Sequence, residues 1–159
     1  MDKSNNHPYD ELLAAYSAGS LPLSQALCIS AHLEHCQDCA QKLQRLNHVG
    51  SELMQKLKPS RTSDELKHKL LNMLYSLPED EPEAEPSRHD PRVPRCLHQF
   101  VERGYDNLNW KRVSADIHSV ELCRDSNGAK VELLKIKPGG SATTHTHMGD
   151  EYTVILEGS

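Results

Sequence analysis

Apolar residues recur at three- and four-residue intervals through the first half of the chain, then give way to short β-branched runs. Pro8 at a first-turn position, Asp10 and Glu11 near the positive helix end, and Leu12, Leu13 and Tyr16 on one side predict a short helix ended by Gly19. Leu23, Ala26, Leu27, Ser30 and Leu33 predict a second helix reaching about Glu34. A third begins near Cys36 and uses Ala40, Leu43, Leu46, Leu53, Met54 and Leu57; Gly50 weakens its middle and Pro59 stops it. Thr62 with Glu65 has the spacing of a capping box, and Leu66, Leu70, Met73 and Leu77 mark one face of a fourth helix.

Beyond Arg95 the pattern predicts strands over Val113 to Cys123, Lys130 to Lys137 and Tyr152 to Leu156. Asn127-Gly128 marks a hairpin and Pro138-Gly139-Gly140 a turn. Between the textures, Ser76 to Arg95 holds Pro78, Pro82, Pro86, Pro91 and Pro94 among acidic side chains. Repeated proline with one sign of charge makes an extended, self-repelling spacer. The expected fold class is therefore two-domain, all-α plus all-β: a helical unit over residues 1–77, an acidic Pro-rich linker over 78–95, and a β unit over 96–159.

Composition narrows the function. With 159 residues, 36% hydrophobic, and a mean hydropathy of -0.66, the chain has no apolar run long enough to span a bilayer. The net charge of -5 comes from the linker: residues 1–77 carry eight basic and eight acidic side chains, 78–91 one against six, and 92–159 nine against nine. Neither unit has the basic excess that phosphate neutralisation needs, so the expected partner is a protein, with no direct nucleic acid and no membrane. The opening MDKSNNHPYDELLAAY is polar and acidic where a signal peptide would be basic and then apolar, so a cytoplasmic location is expected. In a reducing compartment the five cysteines read as metal ligands, reactive thiols or buried filler rather than a disulfide frame.

The densest chemistry lies at the second helix junction. His32 in the last turn of one helix reaches Cys36 a turn further on, and Cys36 and Cys39 bracket the first turn of the next, facing its positive end. An imidazole and two thiolates suit zinc, and a closed tetrahedral site needs one more ligand. His7, at the mouth of the first helix, is the candidate, and its coordination would clamp that helix to the other two; Cys28, one turn before His32, is the rival. His35, His48 and His68 read as solvated. His7-Pro-Tyr-Asp-Glu-Leu-Leu-Ala-Ala-Tyr followed by His32-x3-Cys36-x2-Cys39 resembles the zinc-binding anti-sigma domain, in its ChrR-type branch. The resemblance implies that His7, His32, Cys36 and Cys39 hold a structural zinc. It also implies that the helical unit wraps an extracytoplasmic-function sigma factor and keeps it from core RNA polymerase. The apolar face of the fourth helix, Leu66, Leu70, Met73 and Leu77, suits such a partner's groove.

A second constellation runs from Gly139 to Gly158. His145 and His147, two apart, project from one strand face, and Glu151 follows a small turn, which half-builds a site for a second divalent metal, zinc being one choice. The spacing is similar to the first cupin motif, G(x)5HxH(x)3E(x)6G, at each position. Cupins carry a further histidine on a later strand, and this sequence stops at Ser159, so a partial barrel and an incomplete site at His145, His147 and Glu151 are expected. ChrR-type proteins join these modules in this order. That resemblance implies a non-enzymatic anti-sigma factor that releases its sigma factor under oxidative stress such as singlet oxygen. The alternative is a cupin metal-dependent dioxygenase with an accessory zinc domain, and a DNA-touching zinc regulator is disfavoured by the balanced charge.

Overall fold

A computed structural model describes residues 7–76, 89–141 and 149–158. Four α-helices, α1 (Asp10–Ser17), α2 (Leu23–His35), α3 (Gln37–Gln55) and α4 (Asp64–Tyr75), are followed by short 3-10 turns at Arg95–Leu97 and Tyr105–Asn107. An antiparallel sheet of order β1-β2-β3 comes next, with β1 at Lys111–Arg112, β2 at Ile117–Arg124 and β3 at Lys130–Ile136. The all-α then β order matches the expectation.

Local chemistry sets the helix ends. Tyr9 is the N-cap of α1, which places Pro8 two residues before the helix rather than in its first turn. Gly19 takes φ +66° just past the C-terminus, a conformation that costs a residue with a Cβ. Cys36 ends α2 and starts α3 in an extended conformation, so the two helices meet at a single residue. α3 runs through Gly50 unbroken. The cap of α4 is Ser63, whose Oγ accepts from the Leu66 amide at 3.2 Å, and not Thr62, because the helix starts one residue later than the capping-box spacing implies.

α1, α2 and α3 enclose one small core around Leu13, Ile29 and Cys39, with Leu12, Tyr16, Leu21, Leu33 and Leu46 against it. A second core joins the two halves of the chain: Leu27 of α2 is buried with Val93, Leu97 and Val101, under Phe100, Leu108, Leu122, Val131, Leu133 and Leu156. Val93, included in the expected linker, is buried in this core; residues 78–88 lie outside the described residues. α4 buries none of its residues.

In the β part, β2 and β3 pair from Ile117↔Ile136 to Arg124↔Lys130, with an irregularity between Glu121 and Cys123. Asn127-Gly128 turns the hairpin, Gly128 taking φ +86° and its amide bonding Asp125 O at 2.9 Å. Pro138-Gly139 forms the expected turn, closed by the Gly140 amide on Lys137 O at 2.9 Å. Two expectations need correction. Val113 to Asp116 is not strand, since the Val113 and Ser114 amides turn onto Ile117 O. Tyr152 to Leu156 is not a strand: its groups face α2 and the second core, the Cys28 thiol meeting Tyr152 O at 3.8 Å and Leu156 packing in the core of Leu27. The described β part is accordingly an open three-stranded sheet.

Candidate metal centre

His7, His32, Cys36 and Cys39 each offer one ligand atom, and the four atoms lie within 4.8 Å of one another. Four stretches of chain deliver them. α2 brings His32 in its last turn, the α2–α3 junction brings Cys36, and the first turn of α3 brings Cys39, which is 1% exposed. His7 comes from just before α1. Its Nδ1 stands 3.4 Å from both the Cys36 and the Cys39 sulfur, and its ring meets that of His32 edge to face at 5.7 Å. A tetrahedral zinc with bonds of about 2.0 Å to nitrogen and about 2.3 Å to sulfur has nitrogen–sulfur edges of about 3.5 Å, so these distances are those of a ligand cage. His32 Nε2 is buried and has no hydrogen-bond partner among the described residues, a costly state unless it donates its lone pair to an ion.

The electrostatics point the same way. Burial, with help from His7 and His35, holds the His32 imidazolium below the ordinary histidine range, which favours the neutral ring that a metal needs. The Cys39 thiol is pushed up to about 11, first by burial and then by the neighbouring Cys36 thiol. Lys42 acts the other way on Cys39 but is a lesser cause than burial and Cys36, and a divalent cation would supply the stronger positive charge that two crowded sulfurs favour. The residues fit a metal ion, and α1 is tied to α3 through His7 as well as by the Lys42–Asp10 ion pair at 2.8 Å.

Cys28 is outside this cluster. Burial raises its thiol, that of Cys123 and, to about 11, that of Cys96, so none has the depressed pKa of a reactive thiol. All five cysteines are unpaired. Of the second constellation, His145 and His147 lie outside the described residues, and Glu151 begins an irregular segment after Asp150. The cupin metal site is therefore a reading of the sequence alone. Leu66, Leu70 and Met73 are exposed on α4, 46%, 52% and 58% accessible, and Leu77 lies outside the described residues. Sequence reasoning missed two acidic residues that the structure puts to work at the two ends of α2, one of them beside the centre. Glu34, between His32 and Cys36, accepts from the Arg95 amide at 3.0 Å and the Cys96 amide at 3.3 Å. Asp125, in the β2–β3 turn, accepts from the Ser24 amide at 3.0 Å and its hydroxyl at 2.8 Å. Both pairings span more than 60 residues, and no local pattern announces them.

Among the described residues no helix is long and apolar enough to cross a membrane. No family model matches the chain. It is 30% identical to the anti-sigma-E factor ChrR of Cereibacter sphaeroides over 156 residues, which cover 97% of this chain and 71% of that protein. Its fold is similar to the crystal structure of Rhodobacter sphaeroides SigE in complex with the anti-sigma ChrR, with TM-score 0.66 and 26% identity over 82% of this chain. It spans 64% of the chain in that complex. With the histidine–cysteine cluster where α1, α2 and α3 meet and this identity along nearly its whole length, the chain belongs to the ChrR-type anti-sigma factors.

Proposed function

We propose that the chain is a cytoplasmic anti-sigma factor that binds and inhibits an extracytoplasmic-function sigma factor, with zinc as the ion held by His7, His32, Cys36 and Cys39. The observation that carries the reading is the gathering of those four ligand atoms within 4.8 Å, in a chain whose named relative is an anti-sigma factor. Zinc fits because two thiolates and two imidazoles in a closed tetrahedral set are its structural ligand chemistry. The ion would fix α1 against the α2–α3 junction and so shape the surface offered to the partner.

The partner's contact falls on α4. A helix with Leu66, Leu70 and Met73 on one side and nothing buried is unfinished unless another chain covers it. The balanced charge of both halves supports a protein partner over direct nucleic acid. Residues 96–159 are read as the N-terminal portion of a cupin domain holding a second divalent metal through His145, His147 and Glu151, with 1–77 as the inhibitory unit and 78–95 as the spacer. The cupin portion would receive an oxidative signal such as singlet oxygen and release the sigma factor. The relative named in both comparisons, ChrR, is an anti-sigma factor, which weighs against the dioxygenase alternative.

The test is co-expression of the full chain with the extracytoplasmic-function sigma factors of its own genome, followed by copurification and elemental analysis. One sigma factor should copurify with one zinc per chain in the helical part. A Leu66→Asp/Leu70→Asp/Met73→Asp variant that folds and still copurifies as well as wild type removes α4 from the interface; capture of no sigma factor defeats the function.

A further inference from the structure

We infer that the β part is a lock on the metal centre: docked on α2, it slows loss of the ion, so that metal retention and the docking of the two halves are one coupled equilibrium. The inference rests on the reading of His7, His32, Cys36 and Cys39 as a metal centre. Three observations carry it. α2 is gripped at both ends by carboxylates that cross between the halves, Asp125 on the Ser24 amide and hydroxyl at its start and Glu34 on the Arg95 and Cys96 amides at its finish. Between these grips, Leu27 is buried in the core of the β part. Glu34 is flanked by His32 and Cys36, so whatever fixes Glu34 also fixes the turn that presents two of the four ligands.

A wall adds to these. An open cavity of about 550 Å3 beside the ligands is lined by His7, His32 and Cys36 on one side and by Val154 and Ile155 of the C-terminal segment on the other. That segment is held in place by Leu156 in the second core, by Tyr152 O against the Cys28 thiol, and by Glu157 at 3.9 Å from Arg92. A chelator or competing thiol reaches the ion through this space, so undocking would loosen the ligand turn and remove one wall together. Groups that orient ligands from behind commonly change metal affinity about 10-fold or more when lost, and coupling between two equilibria is reciprocal.

The experiment loads the full chain with zinc and follows its transfer to an excess of chromogenic chelator, with amide exchange measured in parallel. Glu34→Ala should release zinc about 10-fold faster than wild type. Asp125→Ala should release it about 3-fold faster, although Ser24 stands about 12 Å along the helix from His32, so that only the docking connects them. In both variants the Ser24 and Arg95 amides should exchange faster, and in wild type removal of zinc should speed exchange at Arg95 and Cys96. Asp125→Asn, whose side-chain oxygen still accepts from Ser24 but carries no charge, should fall between wild type and Asp125→Ala. Wild-type release from Asp125→Ala, with its Ser24 amide exposed, overturns the coupling; unchanged protection of Ser24 in that variant overturns the clamp. A wild-type chain that takes up no zinc defeats the metal-centre reading instead, and the lock with it.

Discussion

α2 and α4 are of similar length and each carries a leucine stripe, yet one is buried on two sides and the other on none. α2 turns Ile29 and Leu33 toward α1 and α3, and Leu27 toward the β part. Its carboxylate Glu34 and its Ser24 amide are both used in holding the second half of the chain. α4 has a side-chain cap and a coherent apolar face, but that face meets solvent. The difference teaches that a stripe reports the wish to be covered and not what covers it. In α2 the cover is this chain, so its apolar residues support stability; in α4 they are free to support binding.

The largest blow to this contrast would come at the junction that fixes α2. Cys39→Ser keeps the size of the side chain and weakens a soft ligand, and structural zinc commonly contributes about 10 kcal/mol or more to a small domain. The variant should purify without stoichiometric zinc, and α1 to α3 should lose cooperative thermal unfolding by circular dichroism. Retention of a sharp transition in a metal-free variant would mean that the small core around Leu13 and Ile29 suffices alone. Chelator treatment of the wild-type chain should produce the same loss.

Next in size is the pair Leu27→Ala and Leu70→Ala. Leu27 is 6% exposed and joins two halves, so its truncation should cost about 2–4 kcal/mol in urea unfolding. Leu70 is 52% exposed, and its truncation should cost less than about 0.5 kcal/mol. Equal costs would show that α4 docks on its own chain in solution, and the contrast between the helices would vanish.

Much of the metal centre was legible because its logic is local. Helix geometry alone brings His32, Cys36 and Cys39 to one junction, and Pro8 marks His7 as standing at a helix mouth. The looseness of α4 was legible too, from its place between Pro59 and the acidic spacer. What stayed hidden depends on pairings far apart in sequence. Glu34 and Asp125 look like ordinary surface charge until the amides of Arg95 and Ser24 are found under them. Ile29 falls off the single stripe read through Leu23, Leu27, Ser30 and Leu33, because a helix buried on two sides has no single stripe. Tyr152 to Leu156 has the composition of a strand, but composition gives no neighbour to pair with, and the segment spends its contacts on α2.

The smallest effect examines the grip at the start of α2, and it has a sign. Hydrogen bonds from the Ser24 amide and hydroxyl hold the Asp125 carboxyl below the ordinary aspartate range. A group whose folded pKa is depressed adds stability that is full above its unfolded value, about 3.9, and fades as the pH falls through the folded one. Wild type should therefore exceed Asp125→Asn in stability by a constant margin from neutral pH down to about pH 5, and the margin should close in more acidic solution. Urea unfolding of both chains across that range measures it. A margin that persisted unchanged below pH 3 would mean that the charge of Asp125 does not hold α2, and that the two halves are joined by Leu27 and its apolar neighbours alone.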